Sequence, residues 1–260
     1  MSSEIAFLMY HELELPGRAM CQTQPGYVRY ILSAEDFRKQ MQHLKSAGWQ
    51  GLSVGAALDY PSNPTVAITF DDGCETDLIA AAPILQELGF SGTFYVISGF
   101  VGKRGYMSTQ QLRELSSLGF EIGCHSMTHA YLSDLAEAEL HREIVDAKAR
   151  LEDHLAQPVQ HFSCPGGRFN RQVIETARTA GYRSLSTSRA HTNSRSTDSY
   201  QLGRISIMRG DQPKAVERIC HAEGLWRSQL IDLSRSIAKR MLGNSIYDRV
   251  RATLLTRSKQ

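Results

Sequence analysis

Short apolar runs alternate with amphipathic segments from the N-terminus to about residue 210. Ile5–Tyr10 reads as a strand. Ser33 offers an N-cap for a helix whose apolar positions Phe37, Met41 and Leu44 fall at helical spacing, with Gly48 as its stop. Thr65–Phe70 is a compact β-rich run, and Leu78–Leu88 follows as a helix in spite of Pro83. Thr93–Ile97 is the next strand, Ser108 caps a helix that ends before Gly119, and Phe120–Cys124 is a strand again. Ser133 opens a long polar helix to about Leu155, with Leu140, Ile144 and Leu151 on its apolar stripe. Val159–Ser163, a helix near Val173–Thr179, Tyr182–Ser186 and Arg204–Met208 continue the alternation. The Ser-, Thr- and Arg-rich stretch Ser184–Ser199 reads as a mobile loop. Such alternation predicts an α/β fold with a parallel sheet, either doubly wound or closed into a barrel.

Both architectures collect catalytic groups just beyond the C-terminal ends of their strands. Asp71 and Asp72 directly follow the run ending at Phe70, and His125 follows the run ending at Cys124. Pro165 lies just past Ser163, and His11 follows Tyr10. After about residue 212 the pattern changes. Residues 213–260 become helical and basic, with Arg235, Lys239, Arg240, Arg249, Arg251, Arg257 and Lys259 among Leu230, Ile231, Leu233, Ile237, Met241 and Leu242. This divides the chain into a catalytic unit, 1–212, and a basic helical extension, 213–260. The extension fits a helical appendage with a solvated charged side; peripheral contact with an anionic inner membrane face is the alternative.

Composition narrows the class. Of 260 residues, 42% are apolar and 22% charged, as in ordinary soluble proteins. The net charge of +2 shows no concentrated basic face, which excludes a nucleic-acid partner for the core. Five scattered cysteines without CxxC spacing argue against a disulfide framework and for a reducing compartment. The N-terminus lacks the pattern of a signal peptide, and no apolar run approaches the ~20 residues of a membrane span. The expected location is cytoplasmic.

Thr69-Phe70-Asp71-Asp72-Gly73 places two adjacent carboxylates at a strand end, where a divalent cation would relieve their repulsion. An Asp-Asp-Gly surface turn is the plainer reading of that segment alone. His125-Ser126-Met127-Thr128-His129 shifts the balance, because histidines four apart share one face of a helical turn and can reach a single ion. Two imidazoles and one carboxylate form a common three-ligand catalytic set. The Asp pair supplies that carboxylate and leaves one acid over, which is what a general base requires.

At this point the sequence resembles the polysaccharide deacetylase family (carbohydrate esterase family 4, the NodB-homology domain). The resemblance rests on Thr69–Gly73, on His125–His129, and on Phe162-Ser163-Cys164-Pro165-Gly166-Gly167-Arg168-Phe169-Asn170 as a variant third motif. Leu8-Met9-Tyr10-His11 and the segment Ser33–Leu52 resemble one bacterial branch, so the likeness covers about residues 4–210. It implies a distorted (β/α)7 barrel that hydrolyses an N-acetyl group from an amino sugar with the help of zinc or another divalent ion. It implies Asp71 as base and Asp72, His125 and His129 as metal ligands. Substrate contacts fall to Pro165, Gly166 (through its N–H, at the oxyanion) and Arg168.

Two positions depart from the family pattern. Ser163 stands where an arginine orients the base, and Arg168 is the candidate replacement, with a plain surface role as its alternative. The late Leu-x-His that supplies the general acid has no counterpart around Leu202–Met208. His11 is the first candidate for that place and His191 the second; a strand-end histidine bonded to a carbonyl is the other reading of His11. Cys74, Cys124 and Cys164 adjoin the site and are expected to be buried packing rather than nucleophiles. The expected function is removal of an N-acetyl or N-formyl group from an amino sugar in a poly- or oligosaccharide or lipid-linked glycan. The competing readings are a catalytically silent carbohydrate-binding barrel and an amidohydrolase of a non-sugar amide.

Overall fold

The computed structural model describes residues 4–59, 64–225 and 229–230. Its ten strands are β1 (Ala6–Tyr10), β2 (Leu13–Glu14), β3 (Leu32–Ser33), β4 (Gln50–Leu52), β5 (Thr65–Asp72), β6 (Thr93–Val96), β7 (Glu121–Cys124), β8 (His161–Ser163), β9 (Ser184–Ser186) and β10 (Ile205–Ser206). The helices are α1 (Pro25–Val28), α2 (Ala34–Ser46), α3 (Val54–Asp59), α4 (Ala82–Glu87), α5 (Thr109–Ser117), α6 (Glu137–His141), α7 (Ala147–Leu155), α8 (Arg171–Thr179) and α9 (Pro213–Cys220).

The main sheet is parallel, in the order β10-β1-β5-β6-β7-β8-β9, with β4 added beside the start of β5. The segment Leu202–Ser206 spans the gap between its two edges. Leu202 donates to the Leu185 carbonyl (3.0 Å) and accepts from Thr187 (2.8 Å), while Ile205 and Ser206 stand in register with Leu8 and Met9 of β1. The seven strands therefore curl into the distorted (β/α)7 barrel that the family resemblance implied.

Alternation along each strand assigns the faces. Leu8, Tyr10, Ile68, Phe70, Phe94, Ile122 and Phe162 point outward into the large core shared with the helices. An aromatic ladder runs through it, with Tyr10–Phe70 centroids at 5.4 Å and Phe70–Phe94 at 5.0 Å. The interior carries a smaller apolar plug of Ile5, Phe7, Val54, Ala67, Tyr95 and Leu202. Above that plug the same inward register continues through Thr69 and Asp71, so polar groups line the upper barrel. One-residue register slips would exchange these faces, which is why the strand patterns are strongly specified.

Most boundaries match the sequence pattern. Ser33 caps α2, its hydroxyl accepting from Asp36 N at 3.0 Å, and Ser108 caps α5 in a capping box. Two helices differ. The helix expected to begin at Ser133 begins instead at Glu137, after a 3-10 turn over Leu132–Asp134; the Ser133 hydroxyl binds the Asp134 carboxylate at 2.8 Å instead of capping. The helix expected over Leu78–Leu88 is a π-helical turn, Asp77–Ala81, leading into α4. Pro83 thereby sits in the first turn of α4, where its missing N–H leaves no helical bond broken.

α9 lies against α2: His43 Nε2 meets Glu217 Oε2 at 2.7 Å, the Trp49 and His221 rings stack edgewise at 5.0 Å, and Val216 and Cys220 are buried. Beyond Leu225 the predicted basic extension, Gln229 and Leu230 apart, lies outside the described residues, as does any membrane contact it would make. No helix among the described residues is long and apolar enough to cross a membrane.

Candidate active site

The upper rim gathers residues from four strand ends. Asp72 closes β5, and its backbone takes a left-handed conformation (φ 85°). Gly73 follows with φ 77°, where a Cβ would come within 3.0 Å of Val96, so only glycine lets the chain turn so closely over β6. His125 emerges from β7, and the loop returns at His129 (φ 64°) after Ser126 (φ 66°). Three non-glycine residues with positive φ at one rim mark a backbone held in place for a purpose beyond folding.

This loop corrects one expectation. His125–His129 is not a helical turn, because Ser126 and His129 are both left-handed. The two rings converge nonetheless, 5.0 Å apart and inclined by 63°. Glu143 supplies the reason. Its carboxylate accepts from Met127 N (3.0 Å), Thr128 N (2.8 Å) and Thr128 Oγ1 (2.6 Å), which ties the loop to the turn between α6 and α7. Ser126 Oγ adds a bond from His129 N at 3.0 Å.

Asp72, His125 and His129 form a group able to hold a metal ion, with one donor atom from each within 4.8 Å of the others. The donor chemistry fits. His125 Nδ1 donates to the Ser163 carbonyl at 2.9 Å, which leaves Nε2 as the lone-pair nitrogen facing Asp72. Burial lowers the His125 pKa to about 4, keeping the ring neutral as a ligand must be. Asp72 Oδ1 is buried and has no hydrogen-bond partner among the described residues, although His125 Nε2 and His129 Nε2 each stand 3.6 Å away. An orphaned carboxylate oxygen between two imidazole nitrogens is the signature of a site that a cation completes. The other oxygen, Oδ2, accepts from Tyr27 Oη at 2.5 Å.

Asp71 lies alongside, 3.8 Å from His125 Nε2. Arg204, fully buried at the start of the closing segment, grips both its oxygens: Nη1 to Oδ1 at 2.7 Å and Nη2 to Oδ2 at 2.8 Å. Arg204 also donates to Ser163 Oγ (2.7 Å), Thr69 Oγ1 (3.2 Å) and the Thr187 carbonyl (3.0 Å). Burial pushes the Asp71 carboxyl up, but Arg204, His125 and His11 outweigh it and hold it well below the usual carboxylate range. Arg204 is the partner that keeps its charge at neutral pH, since the two imidazoles are lowered by burial. The carboxylate is thus ionised and aimed.

The third-motif residues follow the end of β8 at the same rim. Pro165 is buried in a tight turn over Pro165–Gly167. Gly166 turns beneath the Tyr131 ring, where a Cβ would meet Cε1 at 3.2 Å. Arg168 stacks on that same ring, its guanidinium 3.5 Å from the centroid. Arg168 therefore does not replace the missing arginine; Arg204 does, from another strand. Charge delivered across the barrel leaves no trace in local spacing, although Arg204 alternates with Ile205 and Ile207 and so had to face inward.

His11 stands beside this group. Its ring packs near Tyr27 and Tyr30, with centroids at 5.9 and 5.3 Å, and Nδ1 is buried without a partner among the described residues. Burial lowers its pKa, opposed by Asp72 and Asp71. His191 instead bonds the Thr192 carbonyl at 2.9 Å and packs on Gly203. Cys124 and Cys164 face the outer core, and burial pushes the Cys124 thiol up to about 12, which removes it as a nucleophile at neutral pH. Tyr27 and Glu143 escaped sequence reasoning. Glu143 had a signal, a carboxylate three residues from Leu140 on a buried stripe; Tyr27 had none.

Comparison with known proteins places this site in context. The sequence profile of the polysaccharide deacetylases matches residues 59–185. The Bacillus subtilis (strain 168) protein YxkH, named for the polysaccharide deacetylases, is 28% identical over 214 residues, covering 80% of this chain and 73% of that one. A peptidoglycan-N-acetylglucosamine deacetylase of Bacillus cereus is 35% identical over 129 residues. That match covers 49% of this chain and 58% of the relative, so the chain spans little more than half of that protein. In fold, the chain is similar to the Streptococcus pyogenes deacetylase PplD in complex with acetate, with a TM-score of 0.75 at 24% identity over 85% of this chain and 99% of that one. An Asp pair at a strand end, two converging histidines and the profile match agree: over residues 59–185 the chain matches the polysaccharide deacetylase family, and its relatives mark it as a hydrolase of carbon–nitrogen bonds other than peptide bonds.

Proposed function

We propose that this chain removes the N-acetyl group of an amino sugar within a poly- or oligosaccharide, using a divalent metal held by Asp72, His125 and His129. The observation that carries the reading is the pairing of an orphaned Asp72 oxygen, between two imidazole nitrogens, with a neighbouring carboxylate kept ionised by Arg204. A module that only binds sugar has no use for the second, charged carboxylate. Relatives named as chitooligosaccharide and poly-β-1,6-N-acetyl-D-glucosamine deacetylases support the substrate class. A bound metal supplies Lewis acidity toward the amide carbonyl and lowers the pKa of water.

The chain's own residues carry the rest. Asp71 accepts the proton of the attacking water, and Arg204 fixes the orientation in which it does so. The Gly166 N–H donates to the developing oxyanion, and Pro165 and Arg168 flank the sugar. Asp71 then gives up that proton, and His11, neutral in the resting site, relays it to the departing amine. Acetate release from N-acetylglucosamine oligomers tests the function: it is expected in the metal-loaded protein, absent after chelation, and restored by Zn2+. Formate measured on N-formyl substrates separates the acyl groups. No acetate from any such oligomer at full metal occupancy overturns the reading.

His11→Gln is expected to lower kcat by about 10²–10⁴-fold, the usual contribution of a general acid, while metal content stays unchanged. Near-normal turnover would remove His11 from the mechanism.

A further inference from the structure

A second cluster of metal-binding donors lies outside the Asp72, His125, His129 group. Glu12, Cys21 and Cys74 each bring one donor atom to within 4.8 Å of the others. They come from three separate chain segments: the residues just after β1, the loop before α1, and the turn after β5. Glu12 is nearly fully buried and Cys74 fully so, while Cys21 is half-buried and leaves an entry path. The loop at Gly105 closes the other side. A Cβ on Gly105 would come within 2.7 Å of Cys21 Sγ, and its carbonyl accepts from that thiol at 3.1 Å.

A fourth group points independently to a missing cation. Asp77, one turn beyond Cys74 and bonded to its carbonyl through the backbone (3.0 Å), is completely buried. Neither of its carboxylate oxygens has a hydrogen-bond partner among the described residues. Burial first, and then Asp72, Cys21, Glu12 and Asp71, push its pKa well above the usual carboxylate range. A buried, unbonded carboxylate near thiols and acids is costly unless a proton or a cation joins it.

We propose that Glu12, Cys21 and Cys74, with Asp77 beside them, form a second metal site for a thiophilic divalent cation, zinc above all. Two thiolates and carboxylate oxygen suit zinc in a closed, four-coordinate structural site, and the thiols release their protons on binding. The ion would pin the loop before α1, which delivers Tyr27 to Asp72, onto the turn that follows Asp71 and Asp72. Its role is structural support, and it stands whether or not the sugar reading holds.

The test is cobalt titration of the full chain, stripped of metal and kept reduced. The expected result is two Co2+ per chain and a near-ultraviolet thiolate-to-cobalt charge-transfer band, which the Asp72, His125, His129 site has no sulfur to produce. His129→Ala should lose one equivalent and keep the band; Cys21→Ser should lose one equivalent and the band. Should Cys74→Ser fail to fold, Cys21→Ser carries the result alone, since its side chain is half-exposed. A saturated wild-type protein without the band overturns the proposal. So does a band that His129→Ala abolishes and Cys21→Ser retains.

Discussion

The Asp71→Asn protein is expected to bind its metal yet to lose about 10²–10⁴-fold in kcat, the range that general-base catalysis contributes. Asparagine keeps the shape of the side chain and removes only the proton-accepting charge. Asp71 is not among the three donors grouped around the candidate ion, so metal content should stay at the wild-type level. KM should change little, because the loss falls on an interaction made in the transition state. One side effect has to be separated from chemistry. The substitution leaves the Arg204 guanidinium buried without its counter-charge, and breaking a buried pair costs about 3–5 kcal/mol. Kinetics at a temperature where circular dichroism shows the variant folded, with metal measured on the same sample, isolate the catalytic loss. Turnover within tenfold of wild type under those conditions would strip Asp71 of its role as base.

How much of this was legible beforehand divides along a physical line. Strand ends and faces follow from local periodicity, the barrel was implied by the family resemblance alone, and the Asp71–Asp72 and His125–His129 pairs fall at strand ends where parallel folds place chemistry. The sharing of one site by those pairs was inferable from donor types. The conformation that unites the histidines was not, because it depends on Glu143 reaching back from a helix to bond Met127 and Thr128. Nor was the partner of Asp71, because Arg204 is 133 residues away in sequence. Local spacing carries information only within the loop of Ser163, where the nearest arginine is Arg168. Ser163 does mark the spot: its hydroxyl accepts from Arg204 at 2.7 Å, so the short side chain admits a guanidinium arriving from across the barrel. Long-range ion pairs are written in the fold, and sequence patterning exposes only their inward direction.

That dependence makes Arg204 the most consequential residue outside the predicted set. Arg204→Met is expected to destabilise the protein by about 3–5 kcal/mol, since it strands the Asp71 carboxylate in the barrel interior. For a chain of this size the melting temperature should fall by about 6–20 °C. The pH dependence distinguishes this cause from lost packing. In the wild type the folded Asp71 pKa is depressed, below an unfolded value of about 3.9. Its pairing therefore contributes stability above that unfolded value, lost only as pH falls through the lower folded one. Without Arg204, burial raises the Asp71 pKa instead, so folding opposes ionisation and the penalty grows as pH climbs past the unfolded value. The gap in melting temperature between wild type and Arg204→Met, measured on metal-free protein, should be wide at neutral pH and shrink progressively as pH falls below about 4. Arg204→Lys should fall between the two, because one ammonium cannot reproduce a two-pronged contact to both carboxylate oxygens. An equal gap at acid and neutral pH would mean that Arg204 matters for its bulk and its other bonds, and that the charge of Asp71 is set by something else.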